Sequence, residues 1–160
     1  MHPRVDVDAL SKKLQKWAKI RLQPKVIVAT QTRLIELFVD EAGEYLPSIP
    51  LASVTPLQPK NLWKVAACLA APPISLLAYQ RLAGAGMSAE VLKLSARNLL
   101  KLPLPADDEK WNLGSELLRN SHALSGSRRT EELEAFGYTM CEAYGLSGHQ
   151  EIMDWWLARL

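Results

Sequence analysis

The first periodic segment of the chain predicts an amphipathic helix. Its apolar positions recur at helical spacing and are Leu10, Leu14, Trp17 and Ala18. The remaining arc is rich in lysine, and these side chains suit solvent better than a binding site: Lys12, Lys13, Lys16 and Lys19. Asp6 or Asp8 can cap the start of the helix. Pro24 disfavours helical angles at the residue before it, so we expect the helix to end near Arg21.

The hydrophobic period then changes to one that favours strands. Segments 26–28 and 34–39 are rich in β-branched and aromatic residues, and a turn-like cluster follows at 40–44. A third extended segment, 49–55, is bracketed by prolines and is therefore predicted to be an edge strand. Three short strands predict a small antiparallel sheet that needs helices to cover it.

Helical periodicity dominates the rest of the chain. The predicted helices cover 61–69, 73–83, 95–100, a segment from Asp107 or Asp108, a stripe over 133–144, and a last helix capped by Ser147. The turn Gly84-Ala85-Gly86 closes the second of them, residues 91–94 form a possible strand, and residues 125–127 are predicted to be a loop. The fold class expected is α+β, with a small antiparallel sheet near the N-terminus followed by a mostly helical C-terminal part.

The stretch Leu102-Pro103-Leu104-Pro105 is the clearest boundary, because two alternating prolines enforce an extended segment. We therefore divide the chain into residues 1–105, a helix with a small β unit and a helical pair, and residues 106–160, an acidic helical appendage. The two parts are expected to pack together as one domain.

Charge is distributed unevenly between these parts. Residues 1–104 carry 14 Lys/Arg and 7 Asp/Glu, whereas residues 105–160 carry 5 and 10, so that a net charge of +2 conceals a basic and an acidic half. A cationic face on a small chain is typical of a surface that binds phosphates or another polyanion. The alternative, left open by the sequence, is that the basic half simply packs beside the acidic one.

The sequence argues against an enzyme that acts by itself. No histidine lies at metal-ligand spacing from a Cys, Asp or Glu, and neither a Gly-x-Ser-x-Gly elbow nor a phosphate-binding loop is present. We expect no cofactor, no metal and no catalytic residue. Cys68 and Cys141 lie on apolar helical faces, which favours buried free thiols and a reducing cytoplasm. No apolar run approaches the roughly 18–20 residues that cross a bilayer, so no membrane partner is expected.

Four segments in this order resemble the target-recognition region that follows the catalytic domain of adenine-specific DNA methyltransferases of restriction–modification systems. They are residues 24–33, the helical pair 62–77 around Ala71-Pro72-Pro73, Gly84-Ala85-Gly86 with Lys93-Leu94-Ser95, and Leu102-Pro103-Leu104-Pro105. The ending, residues 136–145 with Trp155-Trp156, is similar to the tail of methylase-like proteins from high-GC Gram-positive bacteria. The resemblance covers residues 20–160.

The resemblance implies a recognition module without its catalyst. The Phe-x-Gly-x-Gly loop for S-adenosylmethionine is absent, and where the family has Asn/Asp-Pro-Pro-aromatic this chain has Ala71 and Ile74 at the functional positions. The expected function is therefore non-catalytic DNA binding, with double-stranded DNA as the partner and a methyltransferase catalytic domain or subunit as a possible second one. The alternative is a protein-interaction or dimerisation module that uses Trp155 and Trp156 and does not bind DNA.

Candidate DNA contacts come from the basic half. Arg and Gln suit base edges, and Lys, Arg, Thr and Asn suit phosphates. The candidates are Lys25, Thr30, Gln31, Thr32, Arg33, Gln80, Arg81, Lys93, Arg97, Asn98 and Lys101. Arg97 and Lys101 are four residues apart and are expected to share one helical face. The alternative for these residues is an ordinary solvated face.

Overall fold

A computed structural model describes residues 4–84 and 91–160, and within them it is an α+β protein, as predicted. The described helices are α1 (Lys12–Arg21), α2 (Leu62–Ala70), α3 (Pro72–Leu82), α4 (Ala96–Leu99), α5 (Asp108–Ser121), α6 (Gly126–Ala143) and α7 (Gln150–Leu157). The described strands are β1 (Lys25–Ala29), β2 (Gln31–Thr32), β3 (Leu37–Asp40), β4 (Leu51–Val54) and β5 (Leu92–Lys93). A single 3-10 turn, Pro59–Asn61, precedes α2. Of the predicted turn at Gly84-Ala85-Gly86, only Gly84 lies within the described residues.

The main sheet is antiparallel, with β1 in the centre and strand order β3-β1-β4. The predicted edge strand is confirmed as β4. The second predicted strand, 34–39, is shorter than expected and runs as Leu37–Asp40, while Leu34 and Ile35 precede it and are both buried. A separate two-stranded ribbon joins β2 to β5.

One face of the main sheet packs on α2, and the same hydrophobic core continues into the C-terminal helices. Val26 and Val28 of β1 are fully buried on the inner face. The helices α5 and α6 pack side by side, α5 also contacts α2, and α7 contacts α3. Gly137 permits a close helix contact, since a Cβ there would lie 2.6 Å from Cε of Met153. Residues from both sides of position 105 therefore share one core.

Three predicted helix starts differ from the structure. The first helix begins at Lys12, because Asp6 accepts the backbone N–H of Asp8 (3.0 Å) in a turn and does not cap the helix. The predicted loop at 125–127 is already helical from Gly126. The last helix begins at Gln150, because Gly148 has a positive φ of 81° that ends any helix started at Ser147.

A buried ion pair fastens β1 to β3. Nζ of Lys25 lies 2.5 Å from Oδ2 of Asp40, and each side chain is 1% exposed. The same carboxylate accepts the backbone N–H groups of Glu44 and Tyr45, each at 3.0 Å. Burial alone would raise the pKa of Asp40, but the hydrogen bonds from Lys25 and from these backbone groups hold it below its ordinary value.

The two cysteines are buried and free, as predicted. Sγ of Cys68 lies 3.2 Å from the hydroxyl of Tyr144, which donates to the carbonyl of Pro103 at 3.0 Å. Burial raises the pKa of Cys68 despite this hydrogen bond, and burial with the nearby charge of Glu142 raises the pKa of Cys141 to about 11. Both thiols are therefore protonated near neutral pH.

Replacing Asp40 with Asn should destabilise the fold by about 3–5 kcal/mol, because it leaves the Lys25 ammonium buried without a countercharge. Urea unfolding followed by circular dichroism measures this change. The double variant Lys25→Met/Asp40→Leu should recover much of the lost stability, since it removes both charges. Equal stability of Asp40→Asn and the wild type would contradict a structural role for the pair.

Acid should weaken the fold through the same carboxylate. A folded-state pKa below the ordinary 3.8 gives stability that is fully present above that value and is lost as the pH falls through the folded pKa. The free energy of unfolding of the wild type should therefore fall more steeply below that pH than that of Asp40→Asn. Parallel pH profiles for the two proteins would show that Asp40 is not the group responsible.

Thiol labelling should detect the protonated, buried state of both cysteines. Iodoacetamide should modify Cys68 and Cys141 slowly in the native protein and rapidly in urea, because the thiolate is the reactive form and neither sulfur is exposed. Mass spectrometry of peptides measures each site separately. Rapid modification of either cysteine in the native state would contradict its described burial.

Candidate nucleic-acid interface

The ribbon of β2 and β5 joins two basic segments that are far apart in the sequence. Gln31 lies opposite Lys93 and Thr32 lies opposite Leu92 in the antiparallel register. The backbone N–H of Leu94 donates to the carbonyl of Thr30 at 2.9 Å, which continues the pairing. The segment after β1 and the segment before α4 are thereby held side by side.

Alternation along the ribbon separates its polar from its apolar side chains. Thr32, Leu92 and Leu94 are buried, whereas Gln31, Arg33 and Lys93 are exposed. Side chains on successive residues of a strand point to opposite faces. The outer face of the ribbon thus carries the polar and cationic groups.

Further candidates flank the ribbon on both sides. Gln80 and Arg81 are exposed in the last turn of α3, and Ala83, the C-cap residue of this helix, forms a β-bridge with Leu92. Arg97 and Lys101 are exposed in and just after α4. We call the seven exposed residues the basic ribbon surface: Gln31, Arg33, Gln80, Arg81, Lys93, Arg97 and Lys101.

Two of the predicted DNA contacts are wrong. Lys25 is buried and bound to Asp40, so its ammonium is not available to a ligand. Thr32 is also buried, and its hydroxyl donates to the carbonyl of Leu34. Lys25 lies in β1 and Thr32 in β2, and the sequence pattern identified neither residue as buried.

Two other candidates use their polar groups locally. The hydroxyl of Thr30 donates to the carbonyl of Pro50 at 2.6 Å. Asn98 forms a capping box with Ser95: its side-chain oxygen accepts the N–H of Ser95 at 3.0 Å, and its own N–H donates to Oγ of Ser95 at 3.2 Å. These contacts position the ribbon and α4, while DNA contact by either side chain stays a prediction.

Among the described residues, the acidic half forms no ion pair with Arg81, Lys93, Arg97 or Lys101. Its carboxylates pair elsewhere, with Asp108 on Lys64 and Glu142 on Lys110. Within residues 4–84 and 91–160, no carboxylate lies within ion-pair distance of Arg81, Lys93, Arg97 or Lys101. Arg81, Lys93, Arg97 and Lys101 can therefore contact a polyanion without first breaking an ion pair with any described carboxylate.

Sequence reasoning did not identify β2 or an apolar groove beside β4. The alternation of Thr30, Gln31 and Thr32 is the only local signal for β2. The groove has a volume of about 810 Å³ and lies between β4, α2 and residues 96–104. The charged side chains that line it, Lys64 and Asp108, are paired with each other.

Trp155 and Trp156 do not form the exposed pair that the interaction hypothesis requires. Trp156 is buried, and Trp155 is half-buried against Tyr79, with ring centroids 5.4 Å apart. The guanidinium of Arg159 covers the other part of Trp155 at 4.4 Å from its centroid. Trp155 therefore belongs to the packing of α7 on α3, and Trp156, which lies beside Phe136, belongs to the packing of α7 on α6.

Comparisons with protein-family models, curated proteins and solved structures found no match to this chain. Among the described residues, no group of three or more His, Cys, Asp or Glu side chains is placed to hold a metal ion. No single helix of this part of the chain is long and apolar enough to cross a membrane. Segments Pro59–Ala70 and Pro72–Leu82 would qualify only together, and they are bent by 56°.

Proposed function

We propose that this chain is a non-catalytic DNA-binding module of the target-recognition type, which binds duplex DNA through the basic ribbon surface. The pairing of Gln31 with Lys93 carries the proposal, because it joins two separate cationic segments into one exposed surface. A two-stranded ribbon is narrow enough to enter the major groove of DNA. The resemblance to methyltransferase recognition regions agrees with this proposal and remains a prediction.

The side chains of the surface suit two kinds of contact. Lys93, Arg97 and Lys101 present unpaired cations to phosphates, while Gln31 and Arg33 stand on the outer face of the ribbon, where base edges are read. A methyltransferase catalytic domain or subunit is the second partner that we propose. The buried free thiols suit a reducing, cytoplasmic setting.

Removing one cation from the surface should weaken DNA binding in a salt-dependent way. Lys93→Ala and Arg97→Ala should each lower the affinity for a duplex at low salt. Each should also reduce the slope of log affinity against log salt by about 0.9, the value for one lost phosphate contact. Fluorescence anisotropy with a labelled duplex over a range of salt concentrations measures both quantities.

Lys60→Ala is the matched control, since it removes one exposed positive charge outside the basic ribbon surface. Lys60 follows the C-terminal end of β4, whereas the ribbon lies next to the start of β4. It should leave affinity and slope almost unchanged. An equal loss in all three variants would mean that net charge alone governs binding. The absence of any salt-dependent binding at low ionic strength would rule out the proposal.

A further inference from the structure

The first helix leaves most of its apolar side chains uncovered. Leu14, Trp17 and Ile20 are 48%, 42% and 57% exposed, and Ala18 is the only buried residue of α1. Residues three apart in a helix are neighbours on its surface, so these three side chains form one oblique row. We call Leu14, Trp17 and Ile20 the apolar row. The apolar face that the sequence predicts for this helix is therefore largely open to solvent.

The same helix is strongly cationic. Its ten residues include five cations and no carboxylate, and the nearest acidic residues in the sequence, Asp6 and Asp8, precede it. Four of the cations are exposed lysines: Lys12, Lys13, Lys16 and Lys19. Among the described residues, no carboxylate lies within ion-pair distance of these lysines. Their positive charge is therefore available to an anionic partner.

The cations border the apolar row on both sides. Lys12, Lys16 and Lys19 are four and three residues apart, so they follow one face of the helix, and with Ile20 they line an open depression. Arg21 lies one turn after Trp17, and its guanidinium stands 4.5 Å from the centroid of the indole ring. The sequence pattern assigned the lysines to solvent, because it did not reveal that the apolar side chains between them stay uncovered.

The exposed side of α1 offers few directional hydrogen-bonding groups. The side-chain amide of Gln15 donates to the carbonyls of Asp8 and Leu10, each at 2.9 Å. Nη1 of Arg21 donates to the carbonyl of Trp17 at 3.3 Å. The remaining charged groups are lysine ammonium groups, which act as point charges on flexible stems. Such a surface suits a partner that is both anionic and apolar but has no fixed arrangement of acceptors.

We propose that α1 is a peripheral membrane-contact helix, which lies in the headgroup region of an anionic lipid bilayer with the apolar row directed into it. Lysines beside exposed Trp and aliphatic side chains are typical of helices that lie in this region. The lysine stems can extend along the apolar surface while their ammonium groups reach the lipid phosphates. Contact of this kind needs no helix that crosses the bilayer, and it does not depend on the proposed binding of DNA.

The combination of charge and apolar surface favours a bilayer over other partners. The DNA backbone offers phosphates to the lysines but little apolar surface to Leu14, Trp17 and Ile20. A second copy of α1 would place five like charges opposite each other. The helix also lies apart from the basic ribbon surface, since α1 precedes the start of β1 whereas the ribbon follows its end.

Vesicle co-sedimentation of the 160-residue chain tests the proposal. The wild type should bind vesicles of equal parts phosphatidylcholine and phosphatidylglycerol in a salt-dependent way, and should not bind phosphatidylcholine alone. Replacing Lys12, Lys16 and Lys19 together with Gln should lower the partition coefficient about fivefold for each lysine removed. Ile20→Ser keeps the charge and should lower the coefficient at least about threefold, because it removes apolar surface from the contact.

The matched control replaces Lys60, Arg128 and Arg129 together with Gln, which removes as many exposed cations from outside α1 and the basic ribbon surface. It should leave the partition coefficient almost unchanged, and far-UV circular dichroism establishes that each variant is folded. Three results would each overturn the proposal: no binding of the wild type to the anionic vesicles at low salt, an equal loss in the control, or unchanged binding by folded Ile20→Ser.

Duplex binding, measured in parallel by fluorescence anisotropy, separates this proposal from the proposed function. The triple lysine variant of α1 should keep the DNA affinity of the wild type. An equal loss of DNA and vesicle binding would make α1 a nucleic-acid surface and overturn the membrane proposal. Vesicle binding by a wild type that does not bind DNA would support the membrane proposal and rule out only the DNA-binding function.

Discussion

The buried pair of Lys25 and Asp40 is the constraint on which the arrangement of the sheet depends. It lies at the start of β1 and the end of β3, and Asp40 also binds the two backbone N–H groups of the following turn. Gly43 of this turn packs against the backbone of Gln23, where a Cβ would come within 2.6 Å. The carboxylate of Asp40 thus connects β3 to β1 and to the turn that follows β3. This turn packs against the segment between α1 and β1. The buried negative charge of Asp40 is stabilised because the groups described around it, Lys25 and the backbone N–H groups of Glu44 and Tyr45, all donate hydrogen bonds to it.

The main sheet determines which Lys and Arg side chains are buried and which stay exposed. Lys25 is buried in the main sheet, so the basic ribbon surface takes its cations from residues beyond β1, while the lysines of α1 form a separate exposed set. In the acidic helices, Asp108 of α5 pairs with Lys64 of α2, and Glu142 of α6 pairs with Lys110 of α5. The two halves are therefore joined by the pairs Lys64–Asp108 and Glu41–Arg119, while no carboxylate of the described residues pairs with Arg81, Lys93, Arg97 or Lys101.

Local patterns predicted the helices and the main sheet well, because those elements depend on periodicity within a short window. The β-branched run of β1 and the proline-bracketed β4 are examples. Lys25 and Thr32 were mistaken for surface residues, because a polar side chain in a strand does not reveal which face it occupies until its partner is known. Residues 91–94 were predicted as a possible strand and contain β5, but the pairing of β5 with β2 was missed for a related reason. Each strand of the ribbon has two residues, and their pairing joins positions that no local signal connects.

Thr30 connects the main sheet to the basic ribbon surface through hydrogen bonds. Its N–H and its hydroxyl both donate to the carbonyl of Pro50, at 3.0 and 2.6 Å, and its own carbonyl accepts the N–H of Leu94 at 2.9 Å. One residue therefore connects the start of β4, the end of β1 and the end of β5. A ligand contact through the same hydroxyl would have to compete with a short hydrogen bond inside the fold. Thr30 is thus better suited to orient Gln31 and Arg33 than to bind a phosphate itself, and it fixes the position of the proposed DNA surface relative to the main sheet.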